Sequence, residues 1–476
     1  MGIAGTQIEA VETRRMRISL GPIVCASALA ACAAPVGAPD DFVPVRLPPL
    51  AHVLGSAPAD ADIDDDVKAD GPLPSSYTDL VRQLTPVRDQ GTRGVCTIFT
   101  STALLEHLAL RRGAAAPNDS EQLLQWSQKR ERPGAEHTEA SDLGEVMDNL
   151  AARGTVAEAA WPYQGKPWVE LGHPECHGDE ATIPVACFTN GEPPAAALAA
   201  PRQKLPVGRF LRTSAIKAYL FAQQTPVAIG LEFVDGAWSY PPTEHRDRPG
   251  AWERGEVPYP SARERAEAAT ATPDGPSGHA VLIVGWDDDY AVPVIGDDGR
   301  PVIDAAGHAV LERGFYIFKN SWGTGSWGKA NPHGPGLGLL SQRYVDEVAR
   351  AYVVGLPSGA PPPPGGERHD GRAGLPLPDA RVTQDALAVD PSGPLSEATV
   401  EVVIAHARPS DLVVRLEHDA AGWTLWELGT GDGIHGTWRL SGDLSRVDRG
   451  GRWTLVVEDS VTGVTGTLTR WSITFK

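Results

Sequence analysis

The chain has 476 residues, 41% of them hydrophobic, and sets 61 Asp and Glu against 42 Lys and Arg for a formal net charge of −19. That length accommodates two or three domains and a large core. The acid excess excludes nucleic acid as an expected partner, because phosphate backbones are held by clustered cations, and it favours a soluble surface.

Arg14-Arg15-Met16-Arg17 precedes an apolar stretch from Ile18 to Ala31. The stretch is too short and too alanine-rich to span a bilayer and reads as a signal peptide. Leu29-Ala30-Ala31-Cys32 resembles a bacterial lipobox, in which the cysteine is lipidated, so residues 1–32 form the expected leader and Cys32 is the lipidation candidate. An ordinary signal-peptidase site is the alternative. A lipid there would anchor the chain to a membrane rather than span it. The expected location is therefore the bacterial cell envelope, or outside the cell. Residues 33–74 are rich in Pro, Ala and Asp and read as a disordered tether. Their run from Asp60 to Asp66 lacks the sixth-position Gly and closing Glu of a calcium loop.

Gln90-Gly91-Thr92-Arg93-Gly94-Val95-Cys96 leads into a run without Pro or Gly until Gly113. This predicts a buried helix with Cys96 at its mouth, where the helix dipole favours a thiolate. Gln90 and the backbone N–H of Cys96 could together form a two-donor oxyanion hole. Further helices are expected over 120–132 and 141–153, the latter closed by Gly154. Cys176 and Cys187 lie in a polar loop and would be oxidised after export. Strands follow at 227–233, 280–286, 315–319 and 351–354. His279 opens the second of these, in Ser277-Gly278-His279-Ala280-Val281, and the third ends in Asn320-Ser321-Trp322-Gly323. Cys, His and Asn in that order suit a nucleophile, a base and an orienting group. Gly296-Asp297-Asp298-Gly299, between two short apolar runs, predicts a protruding hairpin over 292–313.

These blocks resemble the papain-like cysteine peptidases, as do Ser120-Glu121-Gln122, Trp161-Pro162-Tyr163 and Thr225-Pro226-Val227. The resemblance covers residues 75–355. It implies a two-lobed α+β domain acting on protein or peptide substrates, with Cys96, His279, Asn320 and Gln90 catalytic and Trp322 shielding the His–Asn bond from water. Two positions depart from the family. Arg93 stands where a cysteine usually ties the nucleophile turn, and Thr97 replaces an aromatic residue. These departures keep open an inactive surface binding or adhesion protein; a Cys/His/Asn transpeptidase is a further alternative.

Residues 356–378 contain Pro361-Pro362-Pro363-Pro364 and read as a linker. Residues 379–476 alternate in short strands and predict an all-β jelly-roll sandwich. Their pattern (His406, Asp411, Gly451-Arg452-Trp453-Thr454-Leu455, Asp459, Gly466-Thr467-Leu468 and Trp471) resembles the P domain of proprotein convertases. No cofactor is expected for the peptidase chemistry. Calcium in the C-terminal sandwich is left open by the same resemblance.

Overall fold

A computed structural model describes residues 42–476, apart from 43, 60–62, 64–66, 68–70, 132–135, 180, 246, 271, 273–274, 356–365, 391, 428, 430–432 and 441–443. The leader and Cys32 lie outside the described residues, as do the acidic residues from Asp60 to Asp66 and the four-proline run.

Helices come first in the chain. After a short helix α1 (Leu50–Leu54) come α2 (Cys96–Arg111), α3 (Glu121–Glu131) and α4 (Leu143–Ala152). Helix α2 is buried along nearly its whole length, as expected for a helix apolar around most of its circumference. Asp142 caps α4 by accepting the Glu145 N–H at 3.1 Å, and Gly154 beyond its end takes a positive φ of 72°.

Eight strands build the first sheet: β1 (Ser76–Tyr77), β2 (Gly208–Leu211), β3 (Val227–Glu232), β4 (Glu256–Val257), β5 (Gly278–Pro293), β6 (Leu311–Lys319), β7 (Leu337–Ser341) and β8 (Ala349–Val354). Their order is β2-β8-β3-β5-β6-β7-β4, with β1 paired to β5. All pairings are antiparallel except β4 with β7. The first nine residues of β5 are buried and its far end emerges to solvent. The expected hairpin over 292–313 has two turns rather than one. Gly296 N donates to Arg300 O at 2.8 Å, and Asp304 N donates to His308 O at 2.8 Å.

Nine more strands follow: β9 (Glu367–Asp370), β10 (Leu375–Leu377), β11 (Val382–Val389), β12 (Ala398–His406), β13 (Leu412–His418), β14 (Ala421–Glu427), β15 (Ile434–Arg439), β16 (Gly451–Asp459) and β17 (Gly466–Phe475). They form a five-stranded sheet, β10-β17-β12-β15 with β9 on β17, and a four-stranded sheet, β11-β16-β13-β14. Inward residues of both sheets, including Val402, Leu416, Trp438, Trp453 and Trp471, share one core. The expected linker over 356–378 is shorter than its composition suggested, because β9 and β10 fall inside that span.

The C-terminal sheets are pinned to the preceding region. Val207 belongs to their core, and its N–H donates to Thr424 O at 2.6 Å. Lys204 Nζ bridges Ala152 O at 2.6 Å and Gly422 O at 2.9 Å. Arg112, at the end of α2, pairs with the buried Glu427 of β14. With a shared core residue, one cooperative unfolding transition is expected for the whole. Val207→Ala should destabilise it by about 2 kcal/mol without splitting it, which calorimetry run beside tryptophan fluorescence will check.

Candidate active site

Cys96 is the first residue of α2, and no side chain caps that end of the helix. The free N–H groups of the first turn therefore point at whatever lies there. Here it is the Cys96 sulfur, which faces its own N–H, that of Thr97 and that of Ala280 on β5. Ala280 follows His279, so the sulfur lies beside the histidine strand. Gly91 makes the preceding turn possible. Its φ is +64°, and a Cβ there would fall 2.1 Å from Gly165 O.

Arg93 is fully buried. Its Nε donates to Glu139 Oε1 at 2.6 Å, and its other nitrogens donate to Phe188 O at 2.8 Å, Gln164 O at 3.2 Å and Gln122 Oε1 at 3.3 Å. A charged cross-brace thus ties the nucleophile turn at the position where the sequence pattern lacks a cysteine. The Arg93 carbonyl in turn accepts from Gln90 Nε2 at 2.6 Å, while Gln90 Oε1 accepts from the Ser321 hydroxyl at 2.5 Å. Gln90 is fixed at both ends of its amide, with one of the two amide hydrogens uncommitted. Tyr163, from the Trp-Pro-Tyr motif, donates its hydroxyl to Gln90 O at 2.8 Å. Gln122, from the Ser-Glu-Gln motif, accepts from Arg93. Both motifs therefore serve the turn.

His279 Nε2 and Asn320 Oδ1 are 2.9 Å apart. Asn320 Oδ1 also accepts from the Ser321 N–H at 2.9 Å, which identifies it as the carbonyl end of the amide. Nε2 therefore carries the hydrogen, and Nδ1 is the basic nitrogen. That nitrogen is buried and has no hydrogen-bond partner. No bond joins it to the Cys96 sulfur. The ring is walled by aromatics: Trp322 with its centroid at 5.0 Å, Trp238 at 5.3 Å and perpendicular, and Phe233 at 5.9 Å. Trp322 comes from the Asn-Ser-Trp-Gly block directly after β6. Trp238, in a short helix after β3, has no motif around it, and only its position in the fold brings it to the imidazole.

Residues expected to belong to a tether cover the sulfur. Phe42 packs edge-on against Tyr240 and Trp252, with centroids at 5.7 and 5.4 Å. Val45 exchanges two hydrogen bonds with the Tyr240 hydroxyl, at 2.9 and 2.8 Å. The Arg46 N–H donates to Thr92 O at 2.9 Å, and Pro48 O accepts from the Gly278 N–H at 2.7 Å. Helix α1 then sets Val53 in one cluster with Cys96 and Ala280, with Leu54 against it. Two glycines leave room for it. A Cβ on Gly230 would come 2.6 Å from Leu54 Cδ2, and one on Gly278 would come 2.8 Å from Val53 Cγ2. Beyond the helix, the Ser56 N–H donates to Asp142 Oδ2 at 2.9 Å, at the cap of α4.

This cover decides the electrostatics. Burial pushes the Cys96 thiol up to about 12, against the smaller opposing effect of the backbone N–H groups. Burial also pulls His279 down to about 4, opposed by its bond to Asn320. Both groups are neutral here, a thiol beside an imidazole.

Cys176 and Cys187 form a disulfide, with Cα atoms 5.6 Å apart. Among the described residues no group of three or more His, Cys, Asp or Glu side chains is arranged to hold a metal ion. His406 and Asp459 approach to 3.5 Å inside the C-terminal sandwich, a buried pair at strand ends. Of the other histidines, His107 is occupied with Gln83 O at 3.0 Å.

No protein-family model matches the chain, and no curated protein matches it. Solved structures do match. The cysteine protease and lectin-like domains of Cwp84, a surface-layer-associated protein of Clostridium difficile, are 16% identical, with 85% of each chain covered and a TM-score of 0.41. Xylellain, a cysteine protease from Xylella fastidiosa, is 17% identical over 66% of this chain and 98% of its own, with a TM-score of 0.41. Bromelain from Ananas comosus is 16% identical over 59% of this chain and all of its own, with a TM-score of 0.33. The chain is structurally similar to papain-like cysteine proteases and carries a C-terminal β-sheet region.

Two outcomes are expected. Arg93→Met leaves Glu139 buried without its partner and should cost about 3 kcal/mol in denaturant unfolding. The second concerns pH. His279 titrates near 4 when folded, against 6.5 for an ordinary histidine. As pH falls from 6.5 towards 4, the unfolded chain takes up the proton first, so folding loses stability across that window. The loss should be smaller in His279→Gln, and unfolding midpoints measured against pH will show it.

Proposed function

We propose that the chain is a cysteine endopeptidase kept latent by its own residues 42–56. The observation that carries this reading is the imidazole of His279, held by Asn320 through Nε2 with its basic Nδ1 uncommitted, on the strand against which the Cys96 sulfur packs. Once the covering segment leaves, water reaches the sulfur and the cost of charging it falls. Nδ1 then takes the thiol proton, and the thiolate attacks a peptide carbonyl. The N–H of Cys96 and the spare hydrogen of Gln90 Nε2 hold the oxyanion. His279 returns the proton to the leaving amine, and water releases the acyl group from sulfur.

The export signals extend this reading. A lipobox at Cys32 and the Cys176–Cys187 disulfide support an anchored protein outside the cytoplasm. Two sheets around one tryptophan-rich core support a P-like sandwich that braces the peptidase region.

The buried thiol equally favours an inactive binding protein, and one experiment separates the two readings. At pH 7.5 a thiol-directed epoxide should label the full chain slowly. A chain beginning at Ala57, or the full chain carrying Val53→Asp to expel α1, should label on the order of a thousandfold faster, as a thiol pKa falling from about 12 to roughly 8.5 requires. Cys96→Ala should not label at all, and the opened forms should cleave peptides. If both opened forms stay folded yet label no faster than the parent, the peptidase reading is lost.

A further inference from the structure

A cavity of about 670 Å³ opens where the C-terminal sheets meet the end of α2. Junctions of this kind are common places for ligands. Arg111, Arg112, Arg202, Lys204 and Arg415 line it, against only two carboxylates, Glu427 and Glu458. That concentration of cations is unexpected in a chain whose net charge is −19.

Each carboxylate is already taken. Arg112 pairs with Glu427, and Arg415 NH2 lies 2.6 Å from Glu458. Three cations make no salt bridge among the described residues. Arg111 reaches only the neutral oxygens Gln223 O, at 3.1 Å, and Thr225 Oγ1, at 2.9 Å. Lys204 Nζ holds the two carbonyls already described. Arg202 has no hydrogen-bond or ion-pair partner among the described residues. Burial draws Arg111 and Arg202 below their ordinary values. Lys204 is drawn down by burial first, and then by repulsion from Arg153 and Arg202. Arginines at a helix C-terminus have a structural use of their own, but Arg202, Lys204 and Arg415 come from a loop and a strand.

We propose that this cavity binds a small polyvalent oxyanion, carrying two or more phosphate or sulfate groups, through Arg111, Arg202 and Lys204. Guanidinium forks match such groups in shape and charge. A second negative group lets one ligand neutralise cations contributed by separate elements. With Glu427 and Glu458 paired to Arg112 and Arg415, the uncompensated charge lies on Arg111, Arg202 and Lys204. This assignment does not depend on the peptidase reading.

Calorimetric titration of the full chain, with inorganic tripolyphosphate and separately with a sulfated disaccharide, tests it and tells the two oxyanions apart. Saturable binding of at least one is expected at low salt, weakening as salt shortens the Debye length. Arg202→Ala removes a side chain that supports nothing else, so the fold should survive while affinity drops about tenfold. Arg300→Ala, on the outer hairpin, should bind like the parent. No saturable binding of either probe below about 1 mM, unchanged affinity in Arg202→Ala, or an equal drop in Arg300→Ala would overturn the assignment.

Discussion

Asn320 reaches His279 only because β5 and β6 pair in one register, with Leu282 opposite Lys319. The two residues are 41 positions apart in sequence. A slip of one residue would turn His279 and the strand behind it to the other face of the sheet. The register is enforced from both sides of β5, since Leu231 of β3 sits opposite His279 and β3 is fully buried up to that residue. Everything proposed for the imidazole, from its tautomer to its uncommitted nitrogen, follows from this pairing.

The nucleophile side is held by different physics. A guanidinium with four acceptors closes the turn before the cysteine. A disulfide constrains the chain wherever it forms, whereas the Arg93–Glu139 pair works only inside a packed lobe that also supplies Gln122, Gln164 and Phe188. The turn therefore depends on the integrity of α3 and of the loops beside it, including the disulfide-tied loop that supplies the Phe188 carbonyl. The Cys176–Cys187 disulfide ties a loop packed around Ile183 and Phe188.

How much of this could be read from the sequence depended on distance along the chain. Helix α2 and its leading cysteine were legible because a Gly-bounded apolar run is a local signal, and the His and Asn blocks were legible because each sits at the end of an apolar strand. Glu139 was not, since nothing around it marks a partner 46 residues away. The segment over the sulfur was the largest omission. Leu50-Ala51-His52-Val53-Leu54 is too short to form a helix alone, and its Pro, Ala and Asp surroundings read as solvated. Only the groove gives it a conformation.

Gly230 and Gly278 carry one more implication. Both are buried on adjacent strands, and neither has a positive φ. Backbone freedom therefore does not explain them, and the space they vacate does. With α1 seated, that space is filled by the aliphatic ends of Val53 and Leu54. On the latency proposal, departure of α1 would leave beside the sulfur a hollow the size of the two aliphatic side chains it now holds.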